Sequence, residues 1–192
     1  MLRNLLTIVL VVVAVHSATA GERYFPKGTL SQNIEVSELK ERWYSKQLRA
    51  MNERPWSGGA KGQHGYRLTW LRTFHHPMVF RLDIAPDGTA ELHIKVTSGA
   101  SGYDPGVLTV NKTINLSRTQ TDIILTGLEQ IKFWTMASHM ESTGLDGAQW
   151  IAEGVKAARY HVVDRWSPEG SAFQFWALSL MGLSGMDIEP IY

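Results

Sequence analysis

Period-two alternation is the feature that most narrows what this chain can become. Tyr66, Leu68, Trp70, Arg72 and Phe74 share one parity, and Met78, Phe80, Leu82 and Ile84 alternate with Val79, Arg81 and Asp83. Ala90, Leu92, Ile94 and Val96 alternate with Glu91, His93 and Lys95, while Leu108, Val110, Ile114 and Leu116 alternate with Thr109, Asn111, Thr113 and Asn115. Successive side chains of a strand point to opposite faces, so each stretch reads as a strand with one face in a core and the other wetter. Short links between them favour antiparallel pairing. The link Ala85-Pro86-Asp87-Gly88-Thr89 sets one register. Pro presets φ at the first turn position, Asp suits the second and Gly takes the left-handed third. A three-residue hairpin loop with a bulge at Gly88 puts Leu82 opposite Leu92 and Phe80 opposite Ile94.

Helical signals flank these strands. From Ile34 to Glu53 the apolar residues Val36, Leu39, Trp43, Tyr44, Leu48 and Met51 recur at helical spacing, with Glu35, Glu38, Lys40, Glu41, Arg42 and Lys46 between them. This predicts an amphipathic helix that docks its apolar side on the domain and ends before Pro55. Ser117 and Gln120 form a capping-box pattern that opens a helix to about Lys132, with Ile124, Leu125, Leu128 and Ile131 as its buried stripe. Ser171 is placed to cap a last helix, Ala172 to Leu183, whose sequence is apolar nearly all round and predicts burial. Gln149–Val155 and Tyr160–Trp166 read as a further hairpin, ended by Pro168 and Gly170. Residues 21–33, 54–65, 98–106 and 137–147 read as loops. The order is helix, four strands, helix, two strands, helix. It predicts a single α+β domain over residues 21–192, one antiparallel sheet of about six strands with helices packed on it.

Residues 1–20 stand apart. Arg3 is their only charge, Leu5 to Val15 is an apolar run, and Ala18-Thr19-Ala20 supplies small residues before a cut. The pattern predicts a signal peptide cleaved after Ala20. The run falls short of the roughly 20 apolar residues that a bilayer needs, so no stable membrane span is expected after cleavage. The chain has no Cys, which excludes a disulfide framework, a lipoprotein anchor, a zinc ribbon, an iron–sulfur site and a cysteine nucleophile. Export without disulfides fits a bacterial envelope, so the expected location is periplasmic or secreted. The sequons at Asn111 and Asn115 are then chance matches. The 19 Lys and Arg against 18 Asp and Glu give no support for a nucleic-acid partner.

No common catalytic pattern is present: Gly-x-Ser-x-Gly, His-Glu-x-x-His and the dinucleotide fingerprint are all missing. No two His residues stand at i,i+2 or i,i+4, and the adjacent His75 and His76 would point to opposite faces of a strand. Neither a metal site nor a cofactor is expected. Two features remain. Arg72 shares parity with core residues. Either its head reaches water at the strand end, or it lines a cleft and holds an anion or a carboxylate, because a lone buried Arg is costly. The second feature is the polar hairpin. With its loop at Lys156–Arg159, Val155 faces Tyr160 and Trp150 faces Arg165; Glu153, Tyr160 and Asp164 share one face, and Gly154, His161 and Arg165 the other. A one-residue slip would instead set Glu153 beside His161 and Arg165. The first register offers two carboxylates with a Tyr, an arrangement suited to acid–base work; the second offers structural ion pairs. Trp150 and Trp166 suit a core or a cation–π contact with Arg. Arg72, Trp150, Glu153, Tyr160, His161, Asp164 and Arg165 are therefore the candidate binding residues. At least one close ion pair is expected among Arg72, Glu153, His161, Asp164 and Arg165.

Asp146-Gly147-Ala148-Gln149-Trp150, with Glu153-Gly154 and then Tyr160-His161-Val162-Val163-Asp164-Arg165-Trp166-Ser167-Pro168, resembles the C-terminal motif of a group of uncharacterised exported bacterial proteins. Gly102-Tyr103-Asp104-Pro105-Gly106 resembles a second piece of it, and the similarity spans about Leu71 to Ser184. The resemblance implies export and a shared fold and supplies no activity. The expected function is a non-enzymatic exported domain that binds an envelope partner or a small ligand. The rivals are a hydrolase or lyase using Glu153, Asp164 and His161 around a cleft that Arg72 lines, and an inhibitor or toxin-neutralising protein that displays the loop Gly99–Gly106.

Overall fold

The computed structural model describes residues 23–57, 63–142, 144 and 146–192. The expected signal peptide with its cleavage site, and the Gly-rich stretch 58–62, lie outside the described residues. The element order is α1 (Ile34–Ala50), β1 (His64–Arg72), β2 (Met78–Ile84), β3 (Ala90–Thr97), β4 (Leu108–Leu116), α2 (Arg118–Gln130), β5 (Ala148–Lys156), β6 (Arg159–Trp166) and α3 (Ala172–Gly182), with a single 3-10 turn at Phe133–Thr135. This is the α+β order that the sequence predicts. The strands form one six-stranded sheet in the order β4-β3-β2-β1-β5-β6, antiparallel at every pairing.

The first hairpin has the expected register, Leu82 opposite Leu92 and Phe80 opposite Ile94, with Gly88 at φ +86. The second closes on Lys156 paired with Arg159, so Val155 meets Tyr160 and Trp150 meets Arg165. Its two turn residues, Ala157 and Ala158, both have positive φ, 51 and 63. That is the backbone of a type I′ turn, whose hand matches the twist of the strands it joins.

The two faces of the sheet are covered differently. On one, Tyr66, Leu68, Trp70, Phe80, Leu92, Ile94, Trp150 and Val163 pack under Ile124 and Leu128 of α2 and Phe173, Trp176 and Leu180 of α3. The capping box at Ser117 forms as predicted. Ser171 caps α3, although Phe175 stands 60% exposed on its outer side. On the other face, Leu71, Val79, Ile151 and Val162 pack under Tyr44, Leu48 and Met51 and under Tyr24, Phe25 and Leu30.

That second layer corrects two expectations. Residues 23–33 are not a surface loop, because Tyr24, Phe25 and Leu30 are fully buried. The apolar stripe of α1 docks only in its later part: Tyr44, Leu48 and Met51 are buried with Trp43 beside them, Val36 and Leu39 are exposed, and the polar Ser37, Glu41, Ser45 and Gln47 also face inward. The inward polar residues serve the chain around the helix: Glu41 accepts from the Tyr24 amide and the Ser45 hydroxyl, Ser37 accepts from the Leu30 amide, and Gln47 donates to the Ser101 carbonyl, so each of these buried polar side chains has a partner.

The sheet edges also differ. Along β6, the segment before β5 is laid down as a cover: the Asp164 amide donates to the Ser138 carbonyl (2.7 Å), and His139 bridges to Asp164 in parallel. On β4, pairing is to β3 alone. Lys112 interrupts its alternation and reaches the Ser184 carbonyl (3.4 Å). Among the described residues no helix is long and apolar enough to cross a membrane.

Candidate functional site

The face under α1 carries a buried charged layer. Arg67, on the central strand β1, has no exposed surface. Its Nε donates to Glu153 of β5 (2.7 Å), its NH2 lies 2.6 Å from the same carboxylate, and its NH1 donates to the Arg54 carbonyl (2.8 Å) and lies 3.2 Å from Glu53. The Trp56 ring covers the guanidinium at 4.7 Å. Glu53 also meets Arg81 of β2 (3.2 Å) and Lys95 of β3 (2.7 Å). Burial alone would lift the Glu53 carboxyl, but Arg67, Arg81 and Lys95 outweigh it and hold the group below the usual carboxylate range. Burial raises Glu153 against the pull of Arg67. The Tyr160 hydroxyl donates to Glu153 (3.1 Å), and burial with that adjacent carboxylate pushes the phenol well up.

Asp164 belongs to the same face and has different partners. Lys40 Nζ donates to it (2.9 Å), Tyr44 donates its hydroxyl (3.1 Å), and the Gln149 amide, oriented to satisfy its neighbours, donates to Oδ1 (2.8 Å). Burial pushes Asp164 up, opposed by Lys40 and Tyr44. The expected ion pair among Arg72, Glu153, His161, Asp164 and Arg165 is not found. Glu153 pairs with Arg67 and Asp164 with Lys40, both from outside that set. Pairing each carboxylate with a donor from another element ties α1 and β1 to the hairpin. A sequence signal for Arg67 does exist. It stands opposite Arg81, and two cations side by side on a strand pair require anions between them.

His161 points to the other face, away from Glu153 and Asp164. Its Nε2 donates to the Met136 carbonyl (3.1 Å) and its ring lies 5.2 Å from Phe133. Burial lowers its pKa, opposed by the hydrogen bond to Met136. The sheet therefore does not gather Glu153, Asp164 and His161 into one cleft. Trp150 is fully buried, 5.1 Å from Trp70. Arg72 is 4% exposed and neither reaches water nor pairs with a carboxylate. It stacks on Trp70 at 4.1 Å and donates to the carbonyls of Glu189 and Pro190 (both 3.1 Å). The loop Gly99–Gly106 is pinned from below, with Trp43 Nε1 and Gln47 Nε2 donating to the Ser101 carbonyl at 2.7 and 3.0 Å.

Of the candidate residues, Arg165 lines a groove. A groove of about 610 Å³ lies where the end of α2, residues 136–142 and the start of α3 meet, lined among others by Ile131, Met136, Met140, Arg165, Trp166 and Phe173. The Arg165 guanidinium is held by main-chain oxygens, donating to Asp164 (2.8 Å) and Ala137 (2.7 Å), and forms no salt bridge among the described residues. Burial lowers its pKa, countered by Asp164. Gly147 explains how Trp166 can lie in the wall, since a Cβ there would meet the indole at 2.6 Å. Glu141 and Glu169 also border the groove; Glu141 is engaged by the Ser31 hydroxyl (2.9 Å) and held low by it. The arrangement offers an apolar wall and one fixed cation. Among the described residues no three His, Asp or Glu side chains converge as a metal ion would need. No protein-family model matches the chain, and no curated protein is significantly similar to it.

Proposed function

We propose that the chain is an exported bacterial envelope protein that binds a small ligand, apolar along most of its length and bearing one anionic group, without transforming it. One observation carries this reading. Arg165 lines a groove of ligand size, and its guanidinium donates to two main-chain oxygens. Pockets of about 300–1,000 Å³ with apolar walls and few polar groups are the usual form of small-molecule sites. A guanidinium held by carbonyls keeps its full charge for an incoming anion and is already oriented, so little ordering cost remains on binding. Met136 and Met140 add walls that adapt to ligand shape. The motif around Trp150 and Asp164, and the tripartite pattern of residues 1–20, support export.

Anilinonaphthalene sulfonate and its uncharged relative N-phenylnaphthylamine test the site. The expected result is saturable binding of the anionic probe with quenching of Trp166. Arg165→Gln should weaken the anionic probe at least about tenfold and leave the uncharged one nearly unchanged, the signature of a charge contact rather than lost shape. Equal weakening of both probes, or no saturable binding, overturns the reading. Export is tested by the intact mass of the protein recovered from the envelope, which should begin at Gly21; a mass that retains residues 1–20 overturns it.

A further inference from the structure

The segment 187–192 is attached to the domain in an unusual way. It has no strand or helix partner. Its polar attachments to the domain come from three side chains of the strands and loop beneath it. Arg72 NH1 donates to the carbonyls of Ile188 (3.4 Å), Glu189 and Pro190 (both 3.1 Å). Trp150 Nε1 donates to the main-chain oxygen of Tyr192 (3.1 Å). His75 Nδ1 lies 2.7 Å from the Tyr192 hydroxyl, with the two rings 5.6 Å apart. Ile188, Ile191 and Tyr192 lean on the dry core, while Asp187, Glu189 and Pro190 are exposed.

This is how proteins hold an extended peptide: side-chain donors read main-chain carbonyls, aromatic walls take alternate side chains, and a polar group reads one end residue. Two donors of the same cluster, Arg72 Nε and Trp70 Nε1, are buried without an acceptor. Buried unmatched donors cost free energy, so the segment leaves the cleft incompletely satisfied. A stretch held by a handful of side-chain contacts and no backbone ladder also belongs to the low-stability end of a fold and opens locally before the rest.

We infer that the cleft formed by Trp70, Arg72, His75 and Trp150 is a peptide-binding site, that residues 187–192 are its resident occupant, and that it accepts in their place another extended peptide presenting carbonyl oxygens to Arg72 and a tyrosine to His75. The site is separate from the Arg165 groove and does not depend on it. The resident segment lowers the apparent affinity for an incoming peptide by the fraction of time the cleft is open, so loosening the segment should raise binding.

The test uses the full chain and a fluorescein-labelled peptide of sequence Asp-Ile-Glu-Pro-Ile-Tyr, identical to residues 187–192. Tyr192→Ala in the full chain removes the contact with His75 while leaving the cleft intact. By fluorescence anisotropy this variant should bind the peptide at least about tenfold more tightly than the unaltered chain, since the segment competes less well. A scrambled peptide should bind neither. Adding His75→Phe to Tyr192→Ala should cut the affinity again by about tenfold, as expected for loss of one oriented polar contact. Binding equal to that of the scrambled peptide in a folded Tyr192→Ala variant overturns the inference. So does unfolding of that variant, because the segment would then be an integral part of the core and not a displaceable occupant.

Discussion

The two faces of one sheet solve burial in opposite ways, although each strand contributes alternate residues to both. Leu68 and its neighbours pack under α2 and α3 in a layer made of hydrocarbon and aromatic rings. Arg67, the residue before it, is equally inaccessible and survives there because Glu53 and Glu153 accept from it. The dry face gains from every apolar contact and tolerates a lost methylene by partial collapse. The charged face gains little net free energy from its pairs. It makes each partner indispensable to the other, because removing one leaves a buried charge uncompensated. The lesson concerns specificity. Only the helix that brings Tyr44 and Lys40 to Asp164, and the segment that brings Glu53 to Arg67, can lie on that face.

The sharpest way to break the comparison is at two adjacent residues of β1. Arg67→Met should cost ~3–5 kcal/mol by stranding Glu153 and taking one of the three cations from Glu53. Leu68→Ala should cost ~2–5 kcal/mol by opening a cavity. Urea unfolding at neutral pH will measure both. The faces separate on the second substitution. Adding Glu153→Leu to Arg67→Met should recover at least ~1 kcal/mol, since a matched apolar pair replaces a buried ion pair at little loss. No single further substitution beside Leu68→Ala should do the same. A double variant no more stable than Arg67→Met would show that the pair is not coupled.

The pH dependence of unfolding should differ in sign within the charged face itself. Glu53 is held below the usual glutamate range. Its contribution is therefore present above that range and is lost as pH falls through its lowered value. Glu53→Gln should flatten the acid limb of the stability curve. Asp164 is raised by burial, so its contribution is present at low pH and is lost as pH rises through its raised value. Asp164→Asn should remove that decline. Parallel changes in the two variants would mean that the face titrates as a block.

Two smaller effects test the turns that set the registers. Gly88→Val should destabilise by at least ~1 kcal/mol, because a β-branched side chain resists the positive φ. Ala158→Gly should stabilise by up to ~1 kcal/mol, because alanine is strained in the left-handed region and glycine is not. Thermal unfolding resolves both, and opposite signs at the two turns are the expected outcome.

Parity and turn chemistry made most of the dry face legible. Leu82 opposite Leu92 and the Ser117 capping box follow from local rules, because a period of two and a Gly at positive φ admit few alternatives; the polar hairpin turns on Ala157 and Ala158, which carry no such signal, and its sequence leaves two registers open. The charged face was legible only halfway. Alternation marks Arg67, Arg81 and Lys95 as facing away from the apolar core, and it does not say whether water or protein covers them. They are met by Glu53, just past the end of α1, while the apolar periodicity of α1 predicts the docking of Tyr44 and Leu48 and not the inward turn of Ser37, Glu41 and Ser45. The partners of Arg72 were hidden for a related reason: they are carbonyls more than a hundred residues along the chain, not water, an anion or a carboxylate, and a backbone oxygen leaves no trace in side-chain identity. Arg165 was found because it shares a hairpin with Asp164, yet nothing in the sequence placed Met136, Met140 and Phe173 around it.

The bare outer edge of β4 bears on how concentrated this protein can become before it polymerises. Alternate residues of Leu108–Leu116 turn their backbone groups away from β3, with no further strand beside them among the described residues, and Leu108, Val110, Ile114 and Leu116 would suit a second strand laid beside them. Lys112 sits at the midpoint of that row, on the same side as Val110 and Ile114. A strand added in register would have to enclose its ammonium, and two copies meeting antiparallel about this point would bring two such charges together. Inward-pointing charge on an edge is a common device against open-ended stacking. Lys112→Ile would complete an uninterrupted apolar alternation along β4 and remove that charge from the edge.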